Sequence, residues 1–295
     1  MILLLGKSGY IGGAFVRELE RRGERHTGLS RPDVENGFVL AKVIRSYHNV
    51  KLIINCAGYV GKPNVDACEH HKADAITGNV LLPKMVSDIC NDLDIRFMHV
   101  SSGCIYNGHD KVFTEEDESN FSFVQNNCSF YSGTKALAET LINKENSYIC
   151  RLRIPFDRFD SPRNYLSKLL NYDKLLNMEN SISHRADFVK ACLDLYEKKC
   201  PTGIYNVVNS GSIFASDITR LMARILNISK DFTFFRDEKD FYKIGASAPR
   251  SNCVLDNSKL LAAGVNIRTT EEAMIESLAN WKARPRWGPN TTVYK

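Results

Sequence analysis

The sequence lacks any long apolar run, and this bears on membrane insertion and secretion. None of its 295 residues belongs to an uninterrupted apolar segment of the roughly 18 residues that a bilayer-spanning helix needs. The apolar start, residues 1–5, stops at Gly6 and is too short for a signal peptide. We therefore expect a cytoplasmic protein without a membrane partner.

The sequence also lacks the Cys-x-x-Cys spacing, although it contains nine cysteines. An odd number of cysteines at irregular spacings predicts reduced thiols rather than a disulfide framework. Asp66, Cys68, Glu69, His70 and His71 are close in sequence, but their spacing matches no zinc pattern. We interpret them as a solvated helix start and expect no metal.

Basic residues exceed acidic ones only slightly, with 39 Lys and Arg against 34 Asp and Glu, a net charge of +5. No basic stripe is interleaved with aromatic residues, so nucleic acid is not an expected partner. A mild positive charge suits an anionic small ligand such as a nucleotide.

A glycine-rich loop follows the apolar residues 2–5 and precedes an amphipathic segment. The loop reads Gly6-Lys-Ser-Gly9-Tyr-Ile-Gly12. Glycines between a strand and a helix allow a tight turn and let a pyrophosphate approach the helix N-terminus. The predicted cofactor contacts of this loop are Gly6, Lys7, Gly9, Tyr10, Ile11 and Gly12.

The second strand is expected near residues 25–29, and Ser30-Arg31 follow it. An acidic residue at this place would suit the ribose hydroxyls of NAD. Arg31, helped by Lys7, suits a 2′-phosphate through charge-assisted hydrogen bonds. We therefore predict NADPH as the cofactor in preference to NADH, with Ser30 and Arg31 in contact with it.

Strands and helices alternate through the first half of the chain. A third strand over 50–55 ends in Asn55, Ala57 and Gly58, whose small size suits a closely approaching cofactor. A long helical stretch from Val65 to about Leu93 follows, and helix propensity gives no reason for Asn79 in its middle. Five strand–helix alternations through residue 153 predict an α/β fold, a Rossmann-like doubly wound parallel sheet.

Four polar side chains point to acid–base chemistry. Ser101 and Ser102 follow an apolar strand over 97–100, at the sheet edge where ligands bind. Tyr131 and Lys135 are four residues apart in a helix-favouring segment, so they share a helix face. A lysine ammonium beside a phenol lowers the phenol's pKa, which suits proton transfer near neutral pH.

The second half is less regular. We expect residues 1–155 to form the NADP-binding domain and residues 156–283 to form mainly a smaller α/β substrate-binding lobe, with segments that return to the first domain. Residues 284–295 are expected to be a poorly ordered polar tail. The predicted elements are a helix carrying Lys168, a helix over 186–199, a strand over 203–208, a helix capped by Ser216 and a helix over 270–283.

The glycine loop followed by Tyr131-x-x-x-Lys135 resembles the extended short-chain dehydrogenase/reductases. Within them the chain resembles the dTDP-4-dehydrorhamnose reductases, and most closely the plant-type UDP-4-keto-6-deoxyglucose 3,5-epimerase/4-reductases, which make UDP-L-rhamnose. The segments that carry the resemblance are residues 58–66, 103–105, 130–135, 162–164, 202–206 and 248–252.

The resemblance implies a role for each matching residue. Tyr131 would donate a proton, and Ser102 would polarise the reacting carbonyl. Lys135 would tune the acidity of Tyr131 and bind the nicotinamide ribose. Cys104 and Lys168 would move protons at the two epimerised carbons, with a Cys104 thiolate competent as the base and Lys168 protonating the opposite face. Further implied contacts are Ile154 and Pro155 for the cofactor, and Ser102, Gly103, Asn164, Arg250 and Asn252 for the substrate.

The function implied is conversion of UDP-4-keto-6-deoxy-D-glucose to UDP-L-rhamnose with NADPH. A separate 4,6-dehydratase would supply this nucleotide-sugar, because plant enzymes often carry that activity as a fused domain and 295 residues leave no room for it. The resemblance leaves a homodimer open.

Other readings remain. One is a reductase, with or without epimerase activity, for a GDP- or dTDP-4-keto-6-deoxyhexose. The GDP enzymes typically use histidine as second proton carrier, and His184 is the only histidine in 156–283. Another reading is a non-catalytic NADP-binding regulatory subunit.

Overall fold

A parallel β-sheet forms the centre of the molecule. The structure, a computed structural model, describes residues 1–62 and 64–283, and the predicted tail lies outside the described residues. In chain order, the strands are β1 (Ile2–Leu5), β2 (His26–Leu29), β3 (Leu52–Asn55), β4 (Arg96–Ser102), β5 (Ser147–Leu152), β6 (Pro155–Phe156), β7 (Lys174–Leu175), β8 (Glu179–Asn180), β9 (Ser183–His184), β10 (Gly203–Asn206), β11 (Ile213–Phe214) and β12 (Thr233–Phe234).

Eleven α-helices accompany these strands in the described part of the chain. They are α1 (Gly12–Arg21), α2 (Gly37–Ser46), α3 (Lys72–Ile76), α4 (Leu82–Asp92), α5 (Phe130–Leu141), α6 (Tyr165–Asn171), α7 (Arg185–Glu197), α8 (Ala215–Leu226), α9 (Glu238–Ile244), α10 (Ser258–Ala262) and α11 (Thr270–Ala279). Within residues 1–62 and 64–283, no helix has the length and apolar character needed to cross a bilayer.

The central sheet has six strands, all parallel, in the order β2-β1-β3-β4-β5-β10. The strand order reverses between β1 and β3, and ligands bind at the carboxyl ends of strands beside such a reversal. The register sets Leu5 opposite Asn55 and Asn55 opposite His99. The ends of β1 and β3 therefore lie level, and β4 continues three residues further, to Ser102. The predicted α/β doubly wound sheet is confirmed.

Apolar side chains fill both faces of the sheet because successive residues of a strand point to opposite sides. Leu4 packs with Phe15 of α1 and Phe188 of α7 on one face, whereas Leu3 and Leu40 of α2 belong to the other face. The rings of Phe15 and Phe188 meet edge to face at 6.4 Å. This two-sided burial holds the strand ends, and the loops that follow them, in fixed positions.

The helical stretch predicted from Val65 to Leu93 is not one continuous helix. A 3₁₀ helix (Val65–Glu69), α3, a π-helical turn (Thr77–Leu81) and α4 follow one another. At the π turn, Gly78 lies against Tyr59, and a Cβ on Gly78 would come within 3.2 Å of the Tyr59 backbone nitrogen. The chain winds more loosely here because it packs against the loop after β3.

Two predicted helix boundaries are wrong for tertiary reasons. Helix α8 starts at Ala215, so Ser216 lies in its first turn and does not cap it; Asn177 accepts the hydrogen bond from the Ser216 backbone N–H instead. Helix α11 is capped by Thr269 and stops at Ala279, four residues earlier than predicted. After it, Lys282 pairs with the backbone near residue 159, which diverts the chain from the helical path.

The rest of the chain divides its packing between the sheet and a second core. Strand β10 lies beside β5 at the edge of the central sheet, and α7 covers one face of that sheet. The second core contains Leu166 of α6, Met222 of α8 and Met274 of α11, with short strand pairs such as β8–β11 around it. This arrangement brings α6 over the carboxyl edge of the sheet.

Candidate active site

The glycine loop after β1 fits a dinucleotide pyrophosphate. Gly6 has φ +75°, and a Cβ there would come within 2.7 Å of the Ala57 backbone nitrogen. A Cβ on Gly12 would collide with the Gly6 carbonyl oxygen. Gly9 N–H donates to that same oxygen at 2.9 Å and closes the turn. The loop enters the N-terminus of α1, where backbone N–H groups favour anions.

The segment after β2 contains the predicted Arg31 and also an acidic residue, Asp33, that the sequence analysis overlooked. The stem of Lys7 lies over Gly28, where any Cβ would collide with it. Arg31 is exposed; its carbonyl accepts from the Val34 N–H, but its guanidinium makes no hydrogen bond or ion pair with the described residues. An acidic residue is present nearby, because Asp33 accepts hydrogen bonds from the Ser30 N–H at 2.7 Å and the Ser30 hydroxyl at 2.5 Å. Those bonds lower the pKa of Asp33.

The loop after β3 is fastened by two buried amides. Asn55 Oδ1 accepts from the Ala57 N–H at 3.0 Å. Asn79 accepts from the Tyr59 N–H at 2.7 Å, and its Nδ2 donates to the Tyr59 carbonyl at 2.9 Å and to Thr134 Oγ1 at 3.1 Å. Asn79 is therefore explained by its tertiary bonds, which join the π turn, the cofactor-side loop and α5.

Ser102, Cys104 and Tyr131 meet at the carboxyl end of β4. Ser102 ends that strand, and its hydroxyl accepts from the Cys104 N–H at 3.3 Å at the start of a short 3₁₀ helix, Gly103–Ile105. Hydrogen bonding from the same hydroxyl lowers the pKa of the Cys104 thiol and of the Tyr131 phenol, at the start of α5, against the larger raising effect of burial. The structure thus brings together a hydroxyl, a thiol and a phenol.

The expectation that Lys135 lowers the pKa of Tyr131 is wrong for this arrangement. Burial raises the pKa of Tyr131, while the Ser102 hydroxyl and Arg163 act in the opposite direction. Lys135 points toward β4 instead, where its Nζ donates to the Val100 carbonyl at 3.0 Å. The phenol is therefore protonated near neutral pH and ready to donate.

Lys168 is contributed by α6. Burial lowers its pKa, and the nearby guanidinium groups of Arg163 and Arg250 lower it further. The positive charge of Arg163 lowers the pKa of Tyr131 as well as that of Lys168. Burial shifts the Cys104 pKa the opposite way, above its ordinary value near 9.0.

Two residues predicted to contact substrate, Asn164 and Arg250, form hydrogen bonds or ion pairs within the protein itself. Asn164 caps α6, and its amide bonds to the Leu166 N–H and to Asp157. Arg250 makes a two-pronged ion pair with Asp66. Their substrate contacts stay predictions, and the geometry gives both residues framework roles.

The other two predicted substrate contacts, Asn252 and Gly103, also pack against neighbouring parts of the protein. Asn252 is buried, accepts a hydrogen bond from Asn180 at 3.2 Å and donates its backbone N–H to Asn107 at 2.9 Å. Gly103 lies against Leu255, because a Cβ there would come within 2.5 Å of that side chain. Asn252 and Gly103 therefore fix the loop that carries Cys104.

The loop after β5 has strained backbone at a predicted cofactor contact. Ile154 has φ +36°, which is unfavourable for a β-branched residue. Pro155 follows and pairs in β6 with Ser183. Strained backbone of this kind persists where the surroundings dictate it, and it is common near active sites.

Comparison with known proteins identifies the family. Residues 1–282 match the family model described as RmlD substrate binding domain. The chain belongs to the RmlD substrate binding domain family. The predicted resemblance to dTDP-4-dehydrorhamnose reductases is thereby confirmed.

Two plant proteins are similar along nearly the whole of this RmlD-family chain. A bifunctional dTDP-4-dehydrorhamnose 3,5-epimerase/dTDP-4-dehydrorhamnose reductase of Arabidopsis thaliana is 31% identical and covers 93% of this chain and 91% of its own length. A trifunctional UDP-glucose 4,6-dehydratase/UDP-4-keto-6-deoxy-D-glucose 3,5-epimerase/UDP-4-keto-L-rhamnose-reductase of the same plant is 30% identical over 93% of this chain. The chain spans 41% of that longer relative.

Two solved structures share the fold. The UDP-rhamnose synthase from Acanthamoeba polyphaga mimivirus has a TM-score of 0.86 and 23% identity, covering 95% of this chain and 98% of that one. A dTDP-4-dehydrorhamnose reductase from Bacillus anthracis, solved in complex with NADP, has a TM-score of 0.75 and 15% identity, covering 95% and 96%. An oxidoreductase-type enzyme is confirmed, and so, at the level of the family, is a nicotinamide cofactor.

His184 has partners that keep it from serving this RmlD-family site as a proton carrier. It is buried, its ring contacts Phe156 at a centroid distance of 5.4 Å, and its Nδ1 lies 3.0 Å from Arg268 Nη2. Asp187 is also in contact with it at 3.2 Å. This disfavours the GDP-sugar reading, which relies on a histidine carrier.

Sequence reasoning missed two residues that the structure places at the site. Arg163 donates to the Gly61 carbonyl at 3.3 Å, and its charge lowers the pKa of Tyr131 and of Lys168. Its only sequence signal was its place in the 162–164 segment. His99 is buried beside Lys135, and its signal was a lone histidine within an apolar strand. No group of three metal-binding side chains occurs among residues 1–62 and 64–283.

Proposed function

We propose that this RmlD-family protein is a bifunctional 3,5-epimerase/4-reductase that converts UDP-4-keto-6-deoxy-D-glucose to UDP-L-rhamnose with NADPH. The observation that carries the proposal is a third acid–base group, the Cys104 thiol, beside the reductase pair Ser102 and Tyr131. Lys168 of α6, whose pKa is lowered by burial, is the proposed second proton carrier. A reductase alone needs a carbonyl-polarising hydroxyl and a proton donor. The similarity to the bifunctional plant relative supports both activities.

Reduction uses the groups at the end of β4 and the start of α5. Ser102 and Tyr131 would donate hydrogen bonds to the carbonyl oxygen at carbon 4, where negative charge develops. NADPH, when bound, supplies the hydride. Because burial keeps the pKa of Tyr131 high, the phenol holds its proton until the developing alkoxide takes it.

Epimerisation uses the acidity of the carbons beside the ketone. Removing a proton there gives an enolate, which the same two donors would stabilise. The directions of the pKa shifts favour Lys168 as the base and Cys104 as the acid, because burial favours a neutral amine and a protonated thiol. This reverses the assignment expected from the sequence. Opposite shifts in two groups are typical of acid–base pairs.

The preference for NADPH rests on the end of β2. The Arg31 guanidinium is exposed there and pairs with none of the described residues, and the stem of Lys7 reaches the same strand over Gly28. Asp33 already accepts hydrogen bonds from the Ser30 N–H and hydroxyl, so it is less available to ribose hydroxyls. The keto sugar requires a 4,6-dehydratase as the preceding enzyme.

Incubation with UDP- or dTDP-4-keto-6-deoxyglucose and NADPH, followed by NMR identification of the products, tests the proposal. We expect UDP-L-rhamnose from the UDP sugar. A product reduced at carbon 4 without inversion at carbons 3 and 5 would limit the protein to a reductase. Faster turnover of the dTDP sugar would overturn the UDP assignment. If neither sugar led to NADPH consumption, the proposed reductase activity itself would be overturned.

A further inference from the structure

A buried row of polar groups runs from β3 through β4 to α5. Asn55 Nδ2 lies 3.2 Å from His99 Nδ1, and His99 Nε2 lies 3.3 Å from Lys135 Nζ. Asn55 and His99 have no exposed surface, and Lys135 is 5% exposed. The row exists because the β3–β4 register sets Asn55 directly beside His99.

The direction of the first hydrogen bond is fixed by the backbone. The Ala57 N–H donates to Asn55 Oδ1 at 3.0 Å, so the other arm of the amide, Nδ2, faces His99. An amide nitrogen only donates, and His99 Nδ1 must therefore accept. A neutral imidazole that accepts at Nδ1 carries its proton on Nε2.

That tautomer aims an N–H at Lys135. A neutral amine has a lone pair that accepts from His99 Nε2–H, and it still has N–H groups for the Val100 carbonyl at 3.0 Å. An ammonium has three N–H groups and no lone pair. In the charged form, one N–H of Lys135 would face another N–H across 3.3 Å.

We propose that His99, held in its Nε2–H tautomer by Asn55, is a positioning residue that stabilises the neutral amine of Lys135. The role rests on the proposed function, in which Lys135 serves Tyr131 and the cofactor. A lysine able to exchange protons near neutral pH can restore the proton that Tyr131 gives up in each reduction. His99 itself touches neither substrate nor cofactor in this account.

The other groups that face Lys135 do not reverse this effect. Cys56 at the end of β3 and Cys104 after β4 are buried thiols whose pKa values burial raises, so they are uncharged near neutral pH. Glu139, one turn further along α5, is paired with Arg151 at 2.8 Å. Burial lowers the pKa of Lys135 to about 8.

His99 is neutral as well. Burial and the neighbouring Lys135 hold the pKa of His99 well below its ordinary value near 6.5. The tautomer therefore persists over the pH range in which Lys135 titrates.

The first test reads the tautomer directly, in the full chain without cofactor or substrate. ¹⁵N NMR of histidine-labelled protein should show His99 protonated at Nε2 and unprotonated at Nδ1, with no titration near neutral pH. The signal is assigned by its loss in His99→Phe. A proton on Nδ1 would overturn the proposal.

The second test changes the tautomer. In Asn55→Asp, a carboxylate accepts from both the Ala57 N–H and His99 Nδ1–H, which leaves Nε2 as an acceptor for the Lys135 ammonium. ¹³C NMR of labelled lysine, assigned with Lys135→Arg, should then show the Lys135 midpoint raised by about one pH unit or more. The double variant Asn55→Asp/His99→Phe keeps the new charge without the imidazole and should show a smaller rise.

An equal rise in the single and double variants would assign the shift to charge alone and overturn the proposal. The tautomer measurement is made on the parent protein and uses only His99→Phe for assignment, so it remains decisive if Asn55→Asp does not fold. Neither readout involves turnover, so the proposed function can fail while this inference holds, and the reverse.

Discussion

Asp66 and Arg250 join the loop after β3 to the segment before α10 through a two-pronged ion pair, with N–O distances of 2.6 Å and 2.9 Å. Although burial alone would raise it, the pKa of Asp66 is lowered because Arg250 and backbone N–H groups stabilise the carboxylate. The pair links the loop after β3 to the segment around residue 250. The charge of Arg250 also lowers the pKa of Lys168.

Asp66→Asn should lower the free energy of unfolding by about 1 kcal/mol at neutral pH, because one partner of a partly exposed charged pair is lost. A carboxyl with a lowered folded-state pKa adds stability above its unfolded pKa, near 3.8, and loses it as pH falls through the folded value. Urea unfolding at neutral and acidic pH should therefore show the difference between parent and variant shrinking in acid. Asp88→Asn, which removes an exposed pair with Lys84, is the control, and an equal loss there would deny Asp66 a special role.

Arg31→Ala should weaken NADPH binding about tenfold or more and leave NADH binding nearly unchanged. The physical reason is the loss of charge-assisted bonds to a 2′-phosphate, which NADH lacks. Fluorescence titration with both cofactors measures it. Arg45→Ala removes an exposed arginine on α2 and should change neither affinity. Equal losses for both cofactors in Arg31→Ala would instead indicate a structural role, and equal parental affinities would undo the NADPH preference.

How much the sequence predicts depends on how far apart the interacting residues are. The Gly6 turn and the helix that carries Tyr131 and Lys135 follow from local patterns, and both were predicted. Arg250 and Lys135 have partners that only the folded sheet and loops bring near them, Asp66 and His99. Local spacing placed Lys135 beside Tyr131, but tertiary packing turned its Nζ toward the Val100 carbonyl of β4.

Tyr131→Phe should reduce the rate of reduction by ~10²–10⁴, because the phenol supplies a proton in the transition state. NADPH affinity should stay near the parental value, since the aromatic ring is retained. Stopped-flow NADPH oxidation and cofactor titration separate the two quantities. Tyr47→Phe, on a residue at the end of α2, should leave both unchanged. Reduction within tenfold of the parent in Tyr131→Phe would show that another group donates the proton.

Cys104→Ala should slow solvent deuterium incorporation at carbons 3 and 5 of the 4-keto sugar while hydride transfer to an already epimerised ketone persists. The thiol is placed beside Ser102 and Tyr131, where it can return a proton to the enolate, whereas reduction does not need it. NMR without NADPH reads the exchange separately from reduction. Cys128→Ala removes a half-buried thiol outside the proposed pair and should exchange at the parental rate. Parental exchange in Cys104→Ala as well would reduce the thiol to a packing role.

Lys168→Arg should stop deuterium exchange as completely as Lys168→Met, although it keeps the positive charge. A base must release its proton near neutral pH, and burial moves the pKa of Lys168 in that direction, whereas a guanidinium stays protonated. The same NMR assay measures exchange, and Lys190→Arg on α7, whose lysine pairs with Asp194, controls for lysine-to-arginine replacement. If Lys168→Arg exchanges at the parental rate while Lys168→Met does not, Lys168 contributes only charge, such as binding the substrate diphosphate, and the base must be another residue. If both variants reduce an already epimerised ketone at the parental rate but exchange neither carbon, Lys168 acts in epimerisation alone.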